Sequence, residues 1–368
     1  MRHPSVLFRV ACLVAAAALS NAMAGCAPPS SAAPAPAPLA CTDLTPDRAA
    51  GLAHHLRAER PLMGTSFQIR VVTPDIAGGC AAMEAAFAEV AREEALFSEY
   101  RPESEVSAIN RAAGGAPVQV DAEVFGLLQR SLWASRVTRG AFDMTFAGCG
   151  GLWSVRDRRV PDAESLAACM PRVGFQKVRL DERESSALLP EPGMRIGLGG
   201  IAKGYGVDRA VEVLLSRGFT SVVVDGGGDL RVEGADIDGP WTVNIAHPRR
   251  PGRIFETVHV ARGAVVTSGD YLRYFERDGV RYHHIIDPAT GRPAARSMAV
   301  TVIAPTAADA DALATGLFVL GPERGLAAIA SVPGVEALYF APDLSVHASP
   351  GFPRGTRPAG PDLPPDIP

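Results

Sequence analysis

Apolar residues recur along the chain with two spacings, and each spacing predicts one kind of element. Segment 66–73 alternates apolar and polar residues as a half-buried strand does, and 221–225 is a short apolar run typical of a buried strand. Segments 79–97 and 205–217 have helical apolar spacing, and Gly218 provides a C-terminal stop for the second. The same patterns predict helices over 122–138, 307–319 and 321–331, and strands over 115–120, 241–246, 255–260 and 299–304.

These helices and strands are mixed without a regular β-α-β rhythm, and the sequence has no obvious internal repeat. The pattern predicts an α+β fold with mixed or antiparallel sheets and packed helices, rather than a doubly wound sheet. Hydrophobic residues make up 47% of the 368 residues and charged residues 21%, which is the composition of a globular protein with a substantial core. The net charge of −4 and the absence of a long Lys/Arg run exclude a nucleic-acid partner.

The two ends of the chain differ in composition from the rest. A basic start at Arg2 and Arg9 and the apolar run 10–19 predict an export signal. Small residues directly before Cys26 fit the processing site of bacterial lipoproteins, where the Cys thiol receives the lipid; cleavage without lipidation is the alternative. We expect a signal over 1–25, a Pro/Ala-rich linker over 26–55, one folded domain over 56–345 and a disordered Pro-rich tail over 346–368.

Four cysteines remain once the signal and Cys26 are set aside, and they are Cys41, Cys80, Cys149 and Cys169. Their spacing does not suggest a zinc site. An exported protein can form disulfides, but the spacing selects no pair. We therefore interpret these cysteines as unpaired or structural.

The glycine-rich segment 197–208 is the densest candidate for chemistry. Such a turn at the start of a helix lets backbone N–H groups approach an anion, and Lys203 adds a positive charge for phosphate. The segment lacks the Ser/Thr of a Walker A loop, and it lacks the preceding strand and later acid of a dinucleotide fingerprint. Without further support, a tight packing turn between a strand and a helix is the alternative.

Two other segments contribute polar groups. Asp311 and Thr315 are four residues apart on a predicted helix, so both oxygens lie on one face and suit Mg²⁺ if a phosphate and a carbonyl complete the shell. The alternative is a carboxylate near a helix N-terminus and a solvated Thr. In segment 282–291 an Asp-Pro turn follows His283 and His284, and a histidine there can act as a general base or be purely structural. Adjacent residues of a strand face opposite sides, so one histidine enters a given site.

Taken in order with several others, these segments resemble the FAD:protein FMN transferase family, also called the ApbE family. The resemblance runs from about residue 60 to 345 and rests on the number and order of its motifs. The further motifs are Met63-Gly64-Thr65, Phe97 to Glu105 with Asn110, Gly140 to Thr145 with Leu152-Trp153, Asp225 to Asp229, Val266 to Asp270, and His284 to Pro288.

The resemblance implies a single catalytic domain in which FAD binds in a cleft with Mg²⁺ against its pyrophosphate. It implies that Asp311, Thr315 and the carbonyl of Gly200 hold the metal and that His284 is the base. A Ser or Thr hydroxyl of an acceptor protein would attack the FMN-side phosphorus of FAD and AMP would leave. The implied FAD contacts are Met63, Tyr100, Ala141, Phe142, Asp143, Lys203 and Ile286.

The sequence departs from the family pattern in three places. Gly197 stands where the family usually has Asp, which removes one polar contact to the flavin or the metal shell. Residues 146–151 replace a more regular Gly-Pro-Leu segment, and His283 replaces a common small residue. The alternatives to transfer are an FAD pyrophosphatase, which would release free FMN and AMP, and a non-catalytic flavin-binding lipoprotein. With the export signal, we expect a lipid-anchored protein facing the periplasm whose acceptor is an exported or membrane-bound electron-transfer protein.

Overall fold

The computed structural model describes residues 40–49, 51–353 and 355. The predicted signal 1–25, Cys26 and half of the predicted linker 26–55 lie outside the described residues. Among the helices that the structure describes, none is long and apolar enough to cross a membrane. The helices are α1 (Ile76–Phe97), α2 (Glu105–Arg111), α3 (Ala122–Val137), α4 (Ala147–Gly150), α5 (Ala163–Cys169), α6 (Ala202–Ser216), α7 (Ala307–Leu320) and α8 (Pro322–Ile329).

The strands are mostly short and fall in several sheets. They are β1 (Thr42–Asp43), β2 (His54–Leu62), β3 (Thr65–Thr73), β4 (Val118–Gln119), β5 (Arg179–Asp181), β6 (Ser186–Leu188), β7 (Val222–Gly226), β8 (Asp229–Glu233), β9 (Ala235–Asp236), β10 (Gly239–Ala246), β11 (Ile254–Val260), β12 (Arg262–Gly269), β13 (Tyr274–Arg277), β14 (Val280–His283), β15 (Ile286–Asp287), β16 (Arg292–Pro293), β17 (Ala299–Ala304), β18 (Glu336–Phe340) and β19 (Val346–Ala348).

A nine-stranded sheet in the order β1-β2-β3-β7-β8-β12-β17-β18-β19 forms the centre of the fold. Every neighbouring pair in it is antiparallel, including β3 with β7 and β12 with β17, which come from distant parts of the chain. Smaller antiparallel sheets are β11-β10-β9, β4-β6-β5, β13-β14 and β15-β16. The predicted α+β class with antiparallel sheets and packed helices is therefore confirmed.

Alternate residues of the central strands enter two different cores. Val222 and Val224 of β7 are buried in the core that α1, α6 and α7 form with one face of the sheet. Val223 between them packs in a second core, where β10 and β11 cover the other face with side chains such as Trp241 and Phe255. This period of two follows from the pleat of a strand. Full burial of each such side chain stabilises the fold by roughly 1.5–3 kcal/mol.

Helix α7 is almost completely buried and is fixed by contacts from α6. The backbone N–H groups of Ala307 and Ala308 donate to the Asp208 carboxylate at 2.8 and 2.9 Å, and Arg231 donates to the same carboxylate at 2.9 Å. Gly204 lies so close that a Cβ there would be 2.2 Å from the Ala307 carbonyl oxygen. The two helices therefore meet at a fixed separation, which sets the spacing between residues of α6 and residues of α7.

The predicted elements are present with shifted ends. Helix α1 begins at Ile76 because the Asp75 side chain accepts the N–H of Gly78, and α6 begins at Ala202, before the predicted 205. Strands β1 and β19 lie within the predicted linker 26–55 and the predicted tail 346–368, so the packed body extends past 56–345 at both ends. Both strands have only two or three residues, which is too short a pattern to mark them in a sequence.

The four cysteines form two disulfides, so they are not unpaired. Cys41 is joined to Cys80, which ties the segment before β1 to α1 across 39 residues. Cys149 is joined to Cys169 across 20 residues, which links α4 to the end of α5. The second bridge lies in a small apolar cluster of its own with Leu166. Sequence spacing could not select these pairs because the pairing depends on how the chain folds.

Candidate active site

A cavity of about 870 Å³ opens beside α7 and the glycine-rich turn. Its walls come from the turn before α6, the first turns of α6, the middle of α7, the segment after α1, the loop around α4 and the β14–β15 segment. Every predicted site residue except Met63 lines this cavity, and they are Tyr100, Ala141, Phe142, Asp143, Gly200, Lys203, His284, Ile286, Asp311 and Thr315. Residues that are up to about 200 positions apart in sequence thus meet at one place.

A buried ion cluster lies in the cavity wall. The Lys203 Nζ is 2.6 Å from Oδ2 of Asp229 and 3.0 Å from Oδ2 of Asp311, and the N–H of Gly204 donates to the same Asp311 oxygen at 3.2 Å. Burial lowers the pKa of Lys203, but the two carboxylates outweigh it and raise that pKa above its usual range. Burial and the nearby Asp311 charge raise the pKa of Asp229. Two carboxylates therefore share one ammonium in a largely dehydrated place.

Asp229 was not among the predicted site residues, although a pattern in the sequence points to it. It follows Asp225 and three glycines at the β7–β8 turn, within the Asp225–Asp229 motif on which the family resemblance partly rests. Asp225 itself accepts the N–H of Gly228 at 2.7 Å and fixes the turn. Asp229 is thereby held at the start of β8, within reach of Lys203.

Gly200, Asp311 and Thr315 together present oxygen groups at the cavity. Asp311 and Thr315 lie one turn apart on α7, and a Cβ at Gly200 would be 3.4 Å from Oγ1 of Thr315. The same Cβ would be 3.1 Å from the Phe142 ring, which closes the other side. A carboxylate, a hydroxyl and a backbone carbonyl are donors that suit a hard divalent cation.

Asp143 fixes its own loop. Its Oδ1 accepts the N–H of Thr145 at 2.8 Å and its Oδ2 accepts the N–H of Phe175 at 2.8 Å. Burial raises the pKa of Asp143, and these hydrogen bonds oppose that rise. The N–H of the neighbouring Phe142 donates to the Thr138 hydroxyl at 3.0 Å. The segment from Ala141 to Asp143 is thus a rigid wall of the cavity.

The two adjacent histidines have different surroundings, although both line the cavity. His283 is buried, with Nε2 2.9 Å from the Ala294 carbonyl oxygen and its ring edge against Phe318. His284 is exposed at the cavity, and its Nδ1 is 3.3 Å from the Arg273 carbonyl oxygen. An Nδ1–H that donates to this carbonyl leaves Nε2 as the unprotonated nitrogen. Desolvation by the cavity walls, helped by the Arg273 charge, lowers the pKa of His284 to about 4.

Aromatic rings form the side of the cavity next to His284. The ring of Tyr282 stacks on that of Phe275 with 5.1 Å between centroids, and Trp153 lies 6.3 Å from Tyr282. The indole N–H of Trp153 donates to the Gly291 carbonyl at 3.1 Å, which fastens the loop after α4 to the β15–β16 turn. Trp153 and Tyr282 belong to segments that the sequence analysis singled out, whereas Phe275 does not. Tyr282 and Phe275 meet through the pairing of β13 with β14, which the sequence did not predict.

Met63 is the one predicted site residue that does not line the cavity. Its N–H donates to the Glu94 carboxylate at 2.9 Å, and its side chain packs toward Gly206, where a Cβ would be 2.9 Å from the Met63 Cε. The Met63 thioether packs against α6 at Gly206, and its expected contact with FAD stays a prediction. Thr65, two residues later, lines the cavity instead.

Comparison with known proteins gives a consistent result. The family model described as the ApbE family matches residues 63–339. A relative named FAD:protein FMN transferase from Treponema pallidum is 38% identical over 310 residues, which cover 79% of this chain and 86% of that protein. A protein with the same name from Vibrio cholerae is 36% identical over 286 residues, covering 75% of this chain and 84% of that protein.

Solved structures resemble the fold over most of its length. The crystal structure of the ApbE protein from Thermotoga maritima has a TM-score of 0.74 and 33% identity, and the match covers 81% of this chain and 98% of that one. The flavin transferase ApbE from Vibrio cholerae has a TM-score of 0.74 and 32% identity, with 82% and 98% covered. The family match over residues 63–339 includes all the residues that line the cavity.

Proposed function

Because this chain belongs to the ApbE family, we propose that it transfers FMN from FAD to a Ser or Thr hydroxyl of an acceptor protein and releases AMP. The observation that carries the proposal is the meeting of Lys203, Asp311, Thr315 and His284 in one cavity. The volume of about 870 Å³ falls in the range of small-molecule and cofactor sites, roughly 300–1,000 Å³. A cavity of this size with a basic side chain and stacked rings suits a dinucleotide with a flat ring system.

Mg²⁺ fits the oxygen groups at one end of the cavity. Asp311, Thr315 and the carbonyl of Gly200 would hold it, and the Lys203 ammonium already balances part of the carboxylate charge there. When bound, the ion supplies positive charge to the pyrophosphate oxygens as negative charge develops in phosphoryl transfer.

The chain's own residues account for the remaining needs of the transfer. The oxygen–phosphorus bond to the acceptor forms while the bond from the FMN phosphorus to the AMP oxygen breaks. The acceptor's hydroxyl proton passes to Nε2 of His284, which is neutral at pH 7 because its pKa is about 4. Lys203 and the glycine-rich turn line the cavity and would supply donors to the departing phosphate. The rigid segment Ala141–Asp143 and the aromatic rings orient the ring system.

We further propose that the protein is exported, anchored by lipid on Cys26 and faces the periplasm. The basic and apolar residues 1–25 support this proposal, and so do the two disulfides, since disulfides persist in oxidising compartments. The acceptor would then be another exported or membrane-bound electron-transfer protein.

Mass spectrometry of candidate acceptors after incubation with the protein, FAD and Mg²⁺ tests the proposed reaction. Transfer predicts an acceptor mass raised by the FMN moiety and one AMP released for each label. Free FMN with an unmodified acceptor would instead identify an FAD pyrophosphatase, and intact FAD would identify a binding protein. A His284→Ala variant should bind FAD nearly as the parent does but label the acceptor about 10²–10⁴-fold more slowly. Lost FAD binding in that variant would make His284 a ligand contact.

A further inference from the structure

One carboxyl group in the cavity has no role in the reaction described above. Glu99 follows the end of α1, is half-buried and lines the cavity beside Tyr100. Its backbone carbonyl accepts a hydrogen bond from the Ser107 hydroxyl at 3.3 Å, but its carboxyl group has no hydrogen bond within the part of the chain that the structure describes. A half-buried carboxyl group without a partner, on the wall of a ligand cavity, is available to a ligand.

The Glu99 carboxyl group lies next to position 197 and accounts for the absence of a side chain there. A Cβ at position 197 would lie 2.6 Å from Oε1 of Glu99 and 2.9 Å from the Cβ of Ala147, and both distances are shorter than real Cβ contacts. The φ angle of Gly197 is not in the left-handed region, so its backbone does not require glycine. Space alone excludes a side chain there, and the Glu99 carboxyl group occupies much of that space.

The surroundings of Glu99 shift the pKa of its carboxyl group upward. Burial raises the pKa of its carboxyl group, and the positive charge of Arg195 offsets only part of this rise. A protonated carboxyl group offers one O–H donor next to one acceptor oxygen. The isoalloxazine ring has an N–H between two carbonyl groups, and the adenine ring has an amino group beside a ring nitrogen. Both edges present an N–H donor, which an oxygen of the Glu99 carboxyl group can accept in either protonation state.

We propose that Glu99 is a recognition residue for FAD, whose carboxyl group hydrogen-bonds the donor–acceptor edge of one of the two ring systems. It supplies from position 99 a polar contact that Gly197 cannot make. The inference rests on the proposed function, because it takes FAD as the ligand of the cavity. The inference about Glu99 concerns FAD binding and not the chemical step. The Glu99 inference and the transferase proposal can therefore fail separately.

Isothermal titration of FAD into the full chain with Mg²⁺ tests the inference. We expect Glu99→Ala to weaken FAD binding about tenfold, the usual effect of losing a hydrogen bond to a ligand in a site of this kind. Glu99→Gln keeps a donor beside an acceptor and should stay within about threefold of the parent. Glu103→Ala is the matched control, since Glu103 is an exposed carboxylate in the same segment and does not line the cavity. Its affinity should equal that of the parent.

A transplant variant tests whether the contact can be moved. In the parent, Gly197→Asp should weaken FAD binding, because the new side chain collides with Glu99 and Ala147. Combined with Glu99→Ala and Ala147→Gly, the same Gly197→Asp should restore most of the lost affinity, since one carboxyl group replaces another in the same volume. Thermal unfolding of each variant separates misfolding from weak binding. No recovery in a folded triple variant would overturn the inference.

Fragments of the ligand identify the ring. Titrations with riboflavin and with ADP should reproduce the Glu99→Ala loss for one fragment and not for the other. Parent-like affinity of Glu99→Ala for FAD and for both fragments would overturn the inference while leaving the transferase proposal intact. A parent that binds no FAD would overturn the transferase proposal itself.

Discussion

Replacing Lys203 with methionine removes the ammonium group that lies between Asp229 and Asp311. The Lys203 side chain is about one quarter exposed, whereas the two carboxylates are nearly inaccessible. Removing one partner of a buried ion pair costs about 3–5 kcal/mol, because the other charge remains buried without compensation. The partial exposure of Lys203 favours the lower end, so we expect the free energy of unfolding to fall by about 3 kcal/mol.

Equilibrium unfolding in guanidinium chloride, without added Mg²⁺, measures this loss. A slope of roughly 5 kcal/mol per M, suitable for a chain of this size, converts about 3 kcal/mol into a midpoint lowered by about 0.6 M. The sequence contains a second lysine, Lys177, which pairs with the half-exposed Glu191 at 3.0 Å. Because surface pairs contribute about 0–1 kcal/mol, Lys177→Met should lower the midpoint by less than about 0.2 M.

Added Mg²⁺ provides a second readout. In Lys203→Met the Asp229 and Asp311 carboxylates have lost their cation, so millimolar Mg²⁺ should raise the midpoint of this variant more than that of the parent. If Lys203→Met and the parent unfold at the same midpoint, the carboxylates are not held as a buried cluster and our reasoning is refuted. An equal fall of the unfolding midpoint in Lys203→Met and Lys177→Met would refute our reasoning as well.

Three further predictions concern the metal, the base and the packing of α7. Asp311→Ala should raise the Mg²⁺ concentration needed for half-maximal transfer, and unchanged activity at limiting Mg²⁺ would remove Asp311 from the metal shell. Because the pKa of His284 is lowered to about 4, its imidazole stays neutral on acidification, and the transfer rate should be level from about pH 8 to about pH 6. The rate should then fall as the pH approaches about 4; a decline centred near 6.5, the ordinary value for histidine, would contradict this assignment. Gly204→Ala forces a Cβ against the Ala307 carbonyl and should cost about 1–3 kcal/mol in thermal unfolding. Gly126→Ala, at a helical position with open space around it, should be neutral or stabilising.

The sequence predicts the parts of the fold whose pattern is local. The long apolar spacing of α1 and α7 and the alternation in β3 identify these elements, although the ends of the helices shift where caps such as Asp75 fix them. Strands β2 and β12 were not predicted, since their register is set by partners elsewhere in the sheet. A local pattern contains no information about such partners.

The distinction between local patterns and contacts with distant partners applies to the site as well. The ligand pair Asp311 and Thr315 can be predicted because it repeats with the period of a helix. The Lys203–Asp229 and Lys203–Asp311 contacts join residues that are 26 and 108 positions apart. Glu99 and Gly197, which lie close together in the cavity wall, come from distant loops. Only the tertiary fold brings these groups together. The tertiary fold also determines that the Met63 side chain packs against α6.

The Cys149–Cys169 bridge makes one wall of the cavity sensitive to how the protein is prepared. Closing a loop of this length stabilises a fold by about 3 kcal/mol in the chain-entropy account, and the small cluster around the bridge has few other apolar contacts. Protein purified from a reducing cytosol would therefore carry a looser Trp153 loop, while α6 and α7 stay packed in the main core. Batches made in reducing and in oxidising hosts should then differ in their apparent Michaelis constant for the dinucleotide more than in their maximal turnover.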